Sequence, residues 1–272
     1  MPGEPRNLGS LSRIYGPETW QVYEALDRSL EPRSGDTLHE IAGGYLRPGS
    51  TILDAGCRDA AHLIRLVSAH DAAGVGVDAV EIHVERARAA VESAGLGDRI
   101  ELVLGLLQEL PYPDDHFDFV WCRDVLEQVD ALDGALEEIG RVLRSDGRLL
   151  VYTVFATQRL EPGELAMLTR HLGNVPENLD EATVEAAFAR TGWTIERKEK
   201  IGSEWREHAE ERTQPASRAL LRLSRLRRRE DPFVESYGRD IYDHVEANLH
   251  WEAYLLLGKL EPVVYVLSRD SG

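Results

Sequence analysis

The stretch ILDAGCRDA, residues 52–60, places a short apolar strand directly before a glycine turn and a helix. A glycine after a parallel strand lets the backbone bend sharply and approach a ligand with no Cβ in the way. We expect Asp59 to cap the helix, whose N-terminal amides would then face the ligand. Asp78 ends the next predicted strand, where a carboxylate can accept ribose hydroxyls in nucleotide-binding folds. The alternative for these features is a surface turn with a capping aspartate.

Apolar strands alternate with helical segments around this turn. The alternation predicts an α/β fold with right-handed βαβ units and a mainly parallel sheet, which binds ligands at the carboxyl ends of its strands. The predicted strands are 51–54, 74–78, 100–104, 117–122, 148–155, 194–201 and 263–268. The predicted helices among them are 59–68, 80–93, 131–143, 162–172 and 181–191, the last capped by Asp180.

The composition excludes several classes of protein. With 48 acidic and 31 basic residues the formal charge is −17, which disfavours nucleic-acid binding. No apolar run approaches the roughly 20 residues that span a bilayer, and the first ten residues lack the pattern of a secretion signal, so we expect a cytoplasmic protein. Neither of the two cysteines lies in a cluster with metal-ligand spacing, and we expect no metal. Arginines cluster in 218–229, either as an anion-binding patch or, as we favour, as a solvated face.

Four segments together resemble one known family. Residues 52–60, 74–78, 110–129 and 139–151 occur in the order typical of class I S-adenosylmethionine-dependent methyltransferases, the family typified by the enzymes that methylate ubiquinone and menaquinone on carbon. The most characteristic part is LPYPDDHFDFVWCRDVLEQV, residues 110–129, which nicotinamide-binding folds lack. The resemblance implies a Rossmann-like, seven-stranded, mainly parallel sheet with helices on both faces. It also implies the cofactor S-adenosylmethionine, with S-adenosylhomocysteine as its product.

The resemblance also implies roles for single residues. Those expected to hold the amino-acid end of the cofactor are Asp54, Ala55 and Gly56. Asp78 would bind the ribose hydroxyls, and those expected beside the adenine are Ala79, Leu107 and Gln108. Arg123 would face both cofactor and substrate, and we add Tyr15 from the N-terminal helix to the cofactor-binding candidates.

The chain departs from the family pattern in four places. The second and third glycines of D-x-G-x-G-x-G are Arg58 and Ala60, an aspartate of the adenine loop is Leu106, and the histidine of the LEHV motif is Gln128. Arg58 would either point outward or donate to the cofactor carboxylate. These departures keep a non-catalytic binding or regulatory protein of the same fold open as an alternative. Another reaction that uses the charge of the cofactor, such as a cyclisation, also stays open.

We expect four parts along the chain. Residues 1–47 form an N-terminal helical cover with helices at 15–31 and 35–46, and the first helix has an apolar face of Trp20, Tyr23 and Leu26. The cofactor-binding core is 48–202, and 261–272 supplies its final strand. Between the last two strands lies a helical cap, 203–260, with two long helices at 210–230 and 236–259, which we interpret as a substrate insertion.

The acceptor is expected to be a small molecule, such as a natural-product intermediate, that is methylated on oxygen, nitrogen or carbon. A hydroxyl acceptor needs a general base, whereas a neutral amine does not. The candidate bases lie near the start of the cap and are His208, His171 and Glu204. Aromatic residues that could form the walls of the pocket are Tyr15, Trp20, Tyr152, Phe155, Trp251 and Tyr254. The apolar faces of the cap helices suit a homodimer as well as a pocket.

Overall fold

The computed structural model describes residues 8–269. Its strands are β1 Thr51–Ala55, β2 Ala73–Asp78, β3 Ile100–Leu104, β4 Phe117–Arg123, β5 Leu143–Ala156, β6 Trp193–Lys200 and β7 Leu260–Arg269. Its first helices are α1 Leu8–Ile14, α2 Pro17–Leu26, α3 Thr37–Gly43, α4 Ala61–His70, α5 Glu81–Ser93 and α6 Leu132–Val142. The remaining helices are α7 Pro162–Leu172, α8 Glu181–Arg190, α9 Glu204–Thr213, α10 Pro215–Arg228, α11 Glu230–Tyr237 and α12 Arg239–Leu256. Short 3₁₀ turns occupy Leu126–Gln128 and Pro176–Leu179.

The seven strands form one sheet in the order β3-β2-β1-β4-β5-β7-β6. Neighbouring strands are parallel from β3 to β5, and β7 runs antiparallel to both β5 and β6. The predicted fold class is therefore confirmed, including the mainly parallel sheet. The chain order of the strands reverses beside β1 and β4, and such a switch point leaves a crevice at the carboxyl ends of the two strands.

Helices cover both faces of the sheet, and successive side chains along each strand enter the two cores in turn. Ile52, Phe119 and Trp121 face one core with α3, α4 and α5, whereas Leu53 and Val120 face a second core with α6 and α8. Because both faces are buried, the sequences of the central strands are almost continuously apolar. The burial of both faces also makes the sheet a rigid support for the residues at its carboxyl edge.

The cap consists of four helices, α9 to α12, and not of the two long helices predicted. Gln214 interrupts the helical pattern with φ +52, because the residue before a proline avoids the helical region and α10 begins at Pro215. Gly238, with φ +87, ends α11 before α12 begins. The helices α10 and α12 share a small core of their own, made of Ala219, Leu223, Leu226, Tyr242 and Leu249.

Of the N-terminal helices, α3 falls within the predicted helix 35–46 and packs on the sheet, whereas α1 and α2 bury no residue. Within the predicted helix 15–31 only Pro17–Leu26 is helical, as α2, and α1 precedes it. The apolar side chains Trp20, Tyr23 and Leu26 are exposed. The predicted ends of the cover and of the last strand, residues 1–7 and 270–272, lie outside the described residues. No helix within 8–269 combines the length and the hydropathy needed to cross a bilayer.

Candidate active site

The turn after β1 is shaped by backbone conformation. Gly56, Arg58 and Ala60 all have positive φ, at +83, +50 and +57. The amides of Gly56 and Cys57 both donate to the carbonyl oxygen of Val77, at 2.8 and 3.0 Å. A Cβ on Gly56 would overlap the side chain of Val125, so position 56 requires glycine both for its conformation and for space.

The two non-glycine residues of this turn keep a conformation that favours glycine. A left-handed backbone costs roughly 1–2 kcal/mol for a residue with a Cβ. Arg58 and Ala60 adopt the left-handed conformation despite this cost. The departures from the glycine motif therefore change the side chains but not the shape of the turn. Arg58 itself is exposed. The expected cap was wrong by one residue, because Ala60 is the N-cap of α4 and Asp59 accepts only a long bond, 3.3 Å, from the amide of Ala61.

Two carboxyl groups lie at the ends of β1 and β2. Asp54 is buried, and its burial, together with the negative charge of Asp78, raises its pKa to about 7. Asp78 accepts hydrogen bonds from the amides of Arg58 and Val80, at 2.8 and 2.9 Å, and contacts His83 Nδ1 at 3.1 Å. The charge of Arg123 only partly offsets the raised pKa of Asp54. A positively charged ligand beside Asp54 would therefore stabilise its ionised form.

An apolar surface adjoins Asp78 at the ends of β2 and β3. Leu104 pairs with Asp78 across the two strands and is exposed, as are Ala79 and Leu106. The predicted adenine contacts are only partly in place: Leu107 is 6% exposed and packs into the core, whereas Leu106 is 59% exposed. Gln108 is half-buried. A flat apolar ring would contact Leu104 and Leu106 more readily than Leu107.

The turn after β4 carries charges and an aromatic wall. Asp124 has φ +55, and its amide donates to the carbonyl oxygen of Tyr152 at 3.0 Å. The guanidinium of Arg123 lies 5.3 Å from the ring centroid of Tyr152, and its Nε is 3.4 Å from Asp124 Oδ2. Tyr152 stacks on Trp205 of α9, with ring centroids 5.5 Å apart and planes 7° from parallel. This wall joins the core to the cap.

Asp124 combines an exposed side chain with a desolvated carboxylate. Its side chain is 47% exposed, yet the surrounding protein desolvates the carboxylate and raises its pKa above the ordinary value. Arg123, Arg206 and Glu252 are among the charges that act on its pKa, the last two from the cap. Arg206 and Glu252 are themselves paired at 2.7 Å.

Glu127 lies beneath the same turn and is buried. Its Oε1 accepts from Thr153 Oγ1 at 2.8 Å and from the amide of Val154 at 2.6 Å, while Oε2 has no hydrogen-bond partner within the described residues. Burial and the charge of Asp124 raise its pKa to about 7. The next residue, Gln128, is exposed and donates to the carbonyl oxygen of Leu172 at 2.9 Å. Gln128 thus links this turn to the end of α7.

The three predicted bases find little support. Glu204 accepts from the backbone amide of Arg33 at 3.0 Å and from Nη2 of the same residue at 2.6 Å, which lowers the pKa of the carboxyl group. A carboxylate held in this way is a weak base. The side chains of His208 and His171 are half-buried and make no hydrogen bond to any of the described residues. Tyr15 is 70% exposed on the N-terminal segment.

The sequence reasoning missed three residues that lie around Arg123. Asp124 follows it directly, His62 contacts Arg123 Nη1, and His39 contacts His62. Asp124 lies within the most characteristic family block, and that position could have pointed to it. Nothing in the sequence links His39 and His62 to Arg123, because the three residues are far apart along the chain.

The comparisons with known proteins agree with this geometry. Residues 53–151 match the family described as "Methyltransferase domain". The 27-O-demethylrifamycin SV methyltransferase of Amycolatopsis mediterranei is 34% identical over 122 residues, 44% of this chain and 45% of that protein. Residues 53–151 of this chain are therefore similar to methyltransferase domains. Within this methyltransferase domain lie Asp54, Asp78 and Arg123.

Two further similarities extend beyond the methyltransferase domain. The demethylmenaquinone methyltransferase of Symbiobacterium thermophilum is 27% identical over 229 residues, 72% of this chain and 91% of that protein. The crystal structure of the mycolic acid cyclopropane synthase CmaA1 complexed with SAH and CTAB has a TM-score of 0.67 at 17% identity, covering 91% of this chain and 88% of that one. This structure shows the fold alone. The chain spans about half the length of the first curated relatives that it matches.

Proposed function

We propose that the protein is an S-adenosylmethionine-dependent methyltransferase of the EC 2.1.1 type that acts on a small-molecule acceptor. The observation that carries the proposal is the pair of carboxyl groups, Asp54 and Asp78, beside a left-handed glycine turn at the switch point of the sheet. Burial and the charge of Asp78 raise the pKa of Asp54, so a cation beside Asp54 would stabilise its ionised form. The cofactor carries two positive groups, an ammonium and a sulfonium, which suit this site.

The residues present fit the cofactor part by part. Asp54 would hold the ammonium end, with Gly56 allowing the close approach of the backbone. Asp78 keeps its carboxylate oriented by two backbone amides and would accept from the ribose hydroxyls. The exposed apolar surface of Leu104 and Leu106 would pack on the adenine. When bound, the cofactor supplies a methyl group from a sulfonium, whose bonding electrons remain on the sulfur as a thioether.

The acceptor side is assigned to the turn after β4 and to the cap. Tyr152 and Trp205 would form an apolar wall for the acceptor, and the protein would hold the acceptor in line, an effect worth about 7–11 kcal/mol. Asp124 is the best-placed base for a hydroxyl acceptor, because its carboxylate contacts solvent and its raised pKa strengthens it as a base. Arg123 cannot take that proton, since it stays protonated. An amine or carbon acceptor remains compatible with the same walls.

Calorimetric titration tests the proposal with S-adenosylmethionine and S-adenosylhomocysteine as the probes. We expect micromolar binding by the unaltered protein and at least tenfold weaker binding by Asp78→Ala, a change of about 1.4 kcal/mol. Asp98→Ala is the matched control, because Asp98 is an exposed acidic residue in the loop that precedes β3. Circular dichroism would show that each variant is folded.

An absence of binding by folded, unaltered protein would overturn the proposal. The protein would then be a non-catalytic member of the fold, with a cofactor site closed by Arg58 or Leu106. Binding that Asp78→Ala leaves unchanged would mean that the cofactor lies elsewhere. Binding lost as expected would justify a screen of hydroxylated and amine acceptors, each followed by the release of S-adenosylhomocysteine.

A further inference from the structure

Arg123 contacts one histidine, His62, which in turn contacts a second, His39. Its Nη1 contacts Nε2 of His62, in the first turn of α4, and Nδ1 of His62 lies 3.1 Å from Nε2 of His39, on α3. Both imidazole rings lie against Trp121, with ring centroids 5.3 and 4.9 Å from it. On the other side Arg123 Nε faces Asp124. These contacts link Asp124, Arg123, His62 and His39 in a continuous row from an exposed carboxylate into the interior.

The chemistry of arginine determines the direction of the hydrogen bonds in this chain. A guanidinium has donors only, so Nε2 of His62 must be the acceptor and carries no proton. The neutral ring then bears its proton on Nδ1, which donates to Nε2 of His39. His39 therefore carries its own proton on Nδ1, which is buried and has no partner within the described residues. The reverse arrangement would place two donors against each other at Arg123.

Electrostatics keep both rings neutral. Burial and the positive charge of Arg123 lower the pKa of His62 to about 4, and burial, followed by the charge of Arg65, does the same for His39. The other charged groups that act on this pair are Asp36 and Asp59, which raise the pKa values of His39 and His62, and His70, which lowers that of His39. Neutral rings at pH 7 are what the hydrogen-bond pattern needs.

Arg123 keeps donors for a ligand after it has bound His62. Its side chain is 31% exposed, and Nη2 makes no hydrogen bond to the described residues, whereas Nε is buried and lies 3.4 Å from Asp124 Oδ2. The Nη2 group of Arg123 can donate to a carboxylate of the ligand, and that charge-assisted bond depends on the orientation of the guanidinium plane. A long side chain that is already ordered loses less freedom when the ligand binds.

We propose that His62 is a positioning residue for Arg123: its unprotonated Nε2 orients the guanidinium toward the carboxylate of the cofactor, and His39 sets the tautomer of His62. This inference rests on the proposed function, because it assigns Arg123 to the bound cofactor. His62 does not touch the ligand and acts only through Arg123. The residues of this arrangement are His39, His62 and Arg123. They are distinct from the glycine turn and from Asp78, which we assign to the ribose.

Calorimetry with S-adenosylhomocysteine at pH 7.5 on two replacements of His62 tests this role. His62→Leu removes the acceptor and should weaken binding roughly tenfold or more, since a hydrogen bond to a charged group is lost. His62→Gln offers its amide oxygen to Arg123 and should remain within about threefold of the unaltered protein. His70→Leu, on the same helix, is the control and should bind normally. Thermal melting of each variant separates a local effect from unfolding.

The tautomer gives a readout that does not depend on ligand binding. Nitrogen-15 NMR of the histidine rings should show His62 protonated on Nδ1, whereas free histidine prefers Nε2, and Arg123→Met should remove this preference. A ring of His62 that is protonated on Nε2, or charged at pH 7, would contradict the proposal. Normal binding by His62→Leu would also contradict it. If the unaltered protein binds no S-adenosylhomocysteine, the proposed function fails, and the NMR result still decides whether His62 positions Arg123.

Discussion

The turn after β1 and the turn after β4 lie side by side at the carboxyl edge of the sheet, but they are built in different ways. The first, residues 55–60, is held by left-handed backbone and amide hydrogen bonds. The second, residues 123–128, is held by side chains, with Arg123, Asp124 and Glu127 at its centre. A turn made of backbone tolerates a change of side chain, such as Arg58 for glycine. A turn made of charged side chains does not, and it gives a site its individual chemistry.

The largest effect is expected where the two turns touch. Gly56→Ala would place a Cβ against Val125 at φ +83, and the strain and overpacking should cost about 2–5 kcal/mol of folding free energy. Val125→Ala in the same chain should recover the overpacking part but not the strain of the left-handed backbone. Chemical denaturation of the two single variants and the double variant forms a cycle that measures this contact. Strictly additive effects would mean that the two turns are independent.

A second test compares the pH dependence of stability of the unaltered protein, with Asp54 at the first turn, with that of a variant that has a neutral residue there. Because the folded pKa of Asp54 is raised to about 7, the folded state holds the proton more tightly than the unfolded chain does. Its contribution to stability is therefore greatest below the unfolded pKa and falls as the pH rises toward 7. Asp54→Asn cannot ionise, so its stability relative to the unaltered protein should increase by about 2–3 kcal/mol between pH 5 and pH 8.

Denaturation at the two pH values measures this difference. Glu127→Gln belongs to the second turn and should change in the same direction, because the pKa of Glu127 is also raised to about 7. A pH-independent difference for Asp54→Asn would show that Asp54 ionises normally and would weaken the case for a cationic ligand. Asp54→Asn should at the same time bind S-adenosylmethionine less tightly, so stability and binding would move in opposite directions.

The smallest effect concerns the backbone strain of the first turn. Arg58→Gly should stabilise the protein by about 0.5–1 kcal/mol, because the relief of a left-handed arginine exceeds the entropy that glycine loses on folding. Ala89→Gly, at an exposed position inside α5, is the control and should destabilise by a similar amount. Thermal melting distinguishes the two signs. A loss of stability in Arg58→Gly would mean that the arginine side chain supports the turn.

The predictions from sequence succeeded where short-range patterns decide the structure. Apolar runs bounded by turn residues marked the strands, and Asp180 caps α8 as expected, with its side chain accepting from the amide of Thr183 at 2.9 Å. The predictions failed where distant residues decide it. Glu204 was read as a base beside the cap, but Arg33 holds it. Leu107 was predicted to contact the adenine, but its side chain packs into the second core, and the neighbouring Leu106 is exposed.

The sequence by itself determined the strand pattern, the glycine turn, Asp78 at the end of β2 and the methyltransferase domain, because each depends on residues close together along the chain. Only the tertiary structure decided which side chains meet Arg123. His39, His62 and Asp124 come from α3, α4 and the turn after β4, and only packing on one sheet brings them together. Packing likewise decided that the cap consists of four helices and that α1 and α2 are exposed. An apolar face can be predicted from the sequence, but the surface against which it packs cannot.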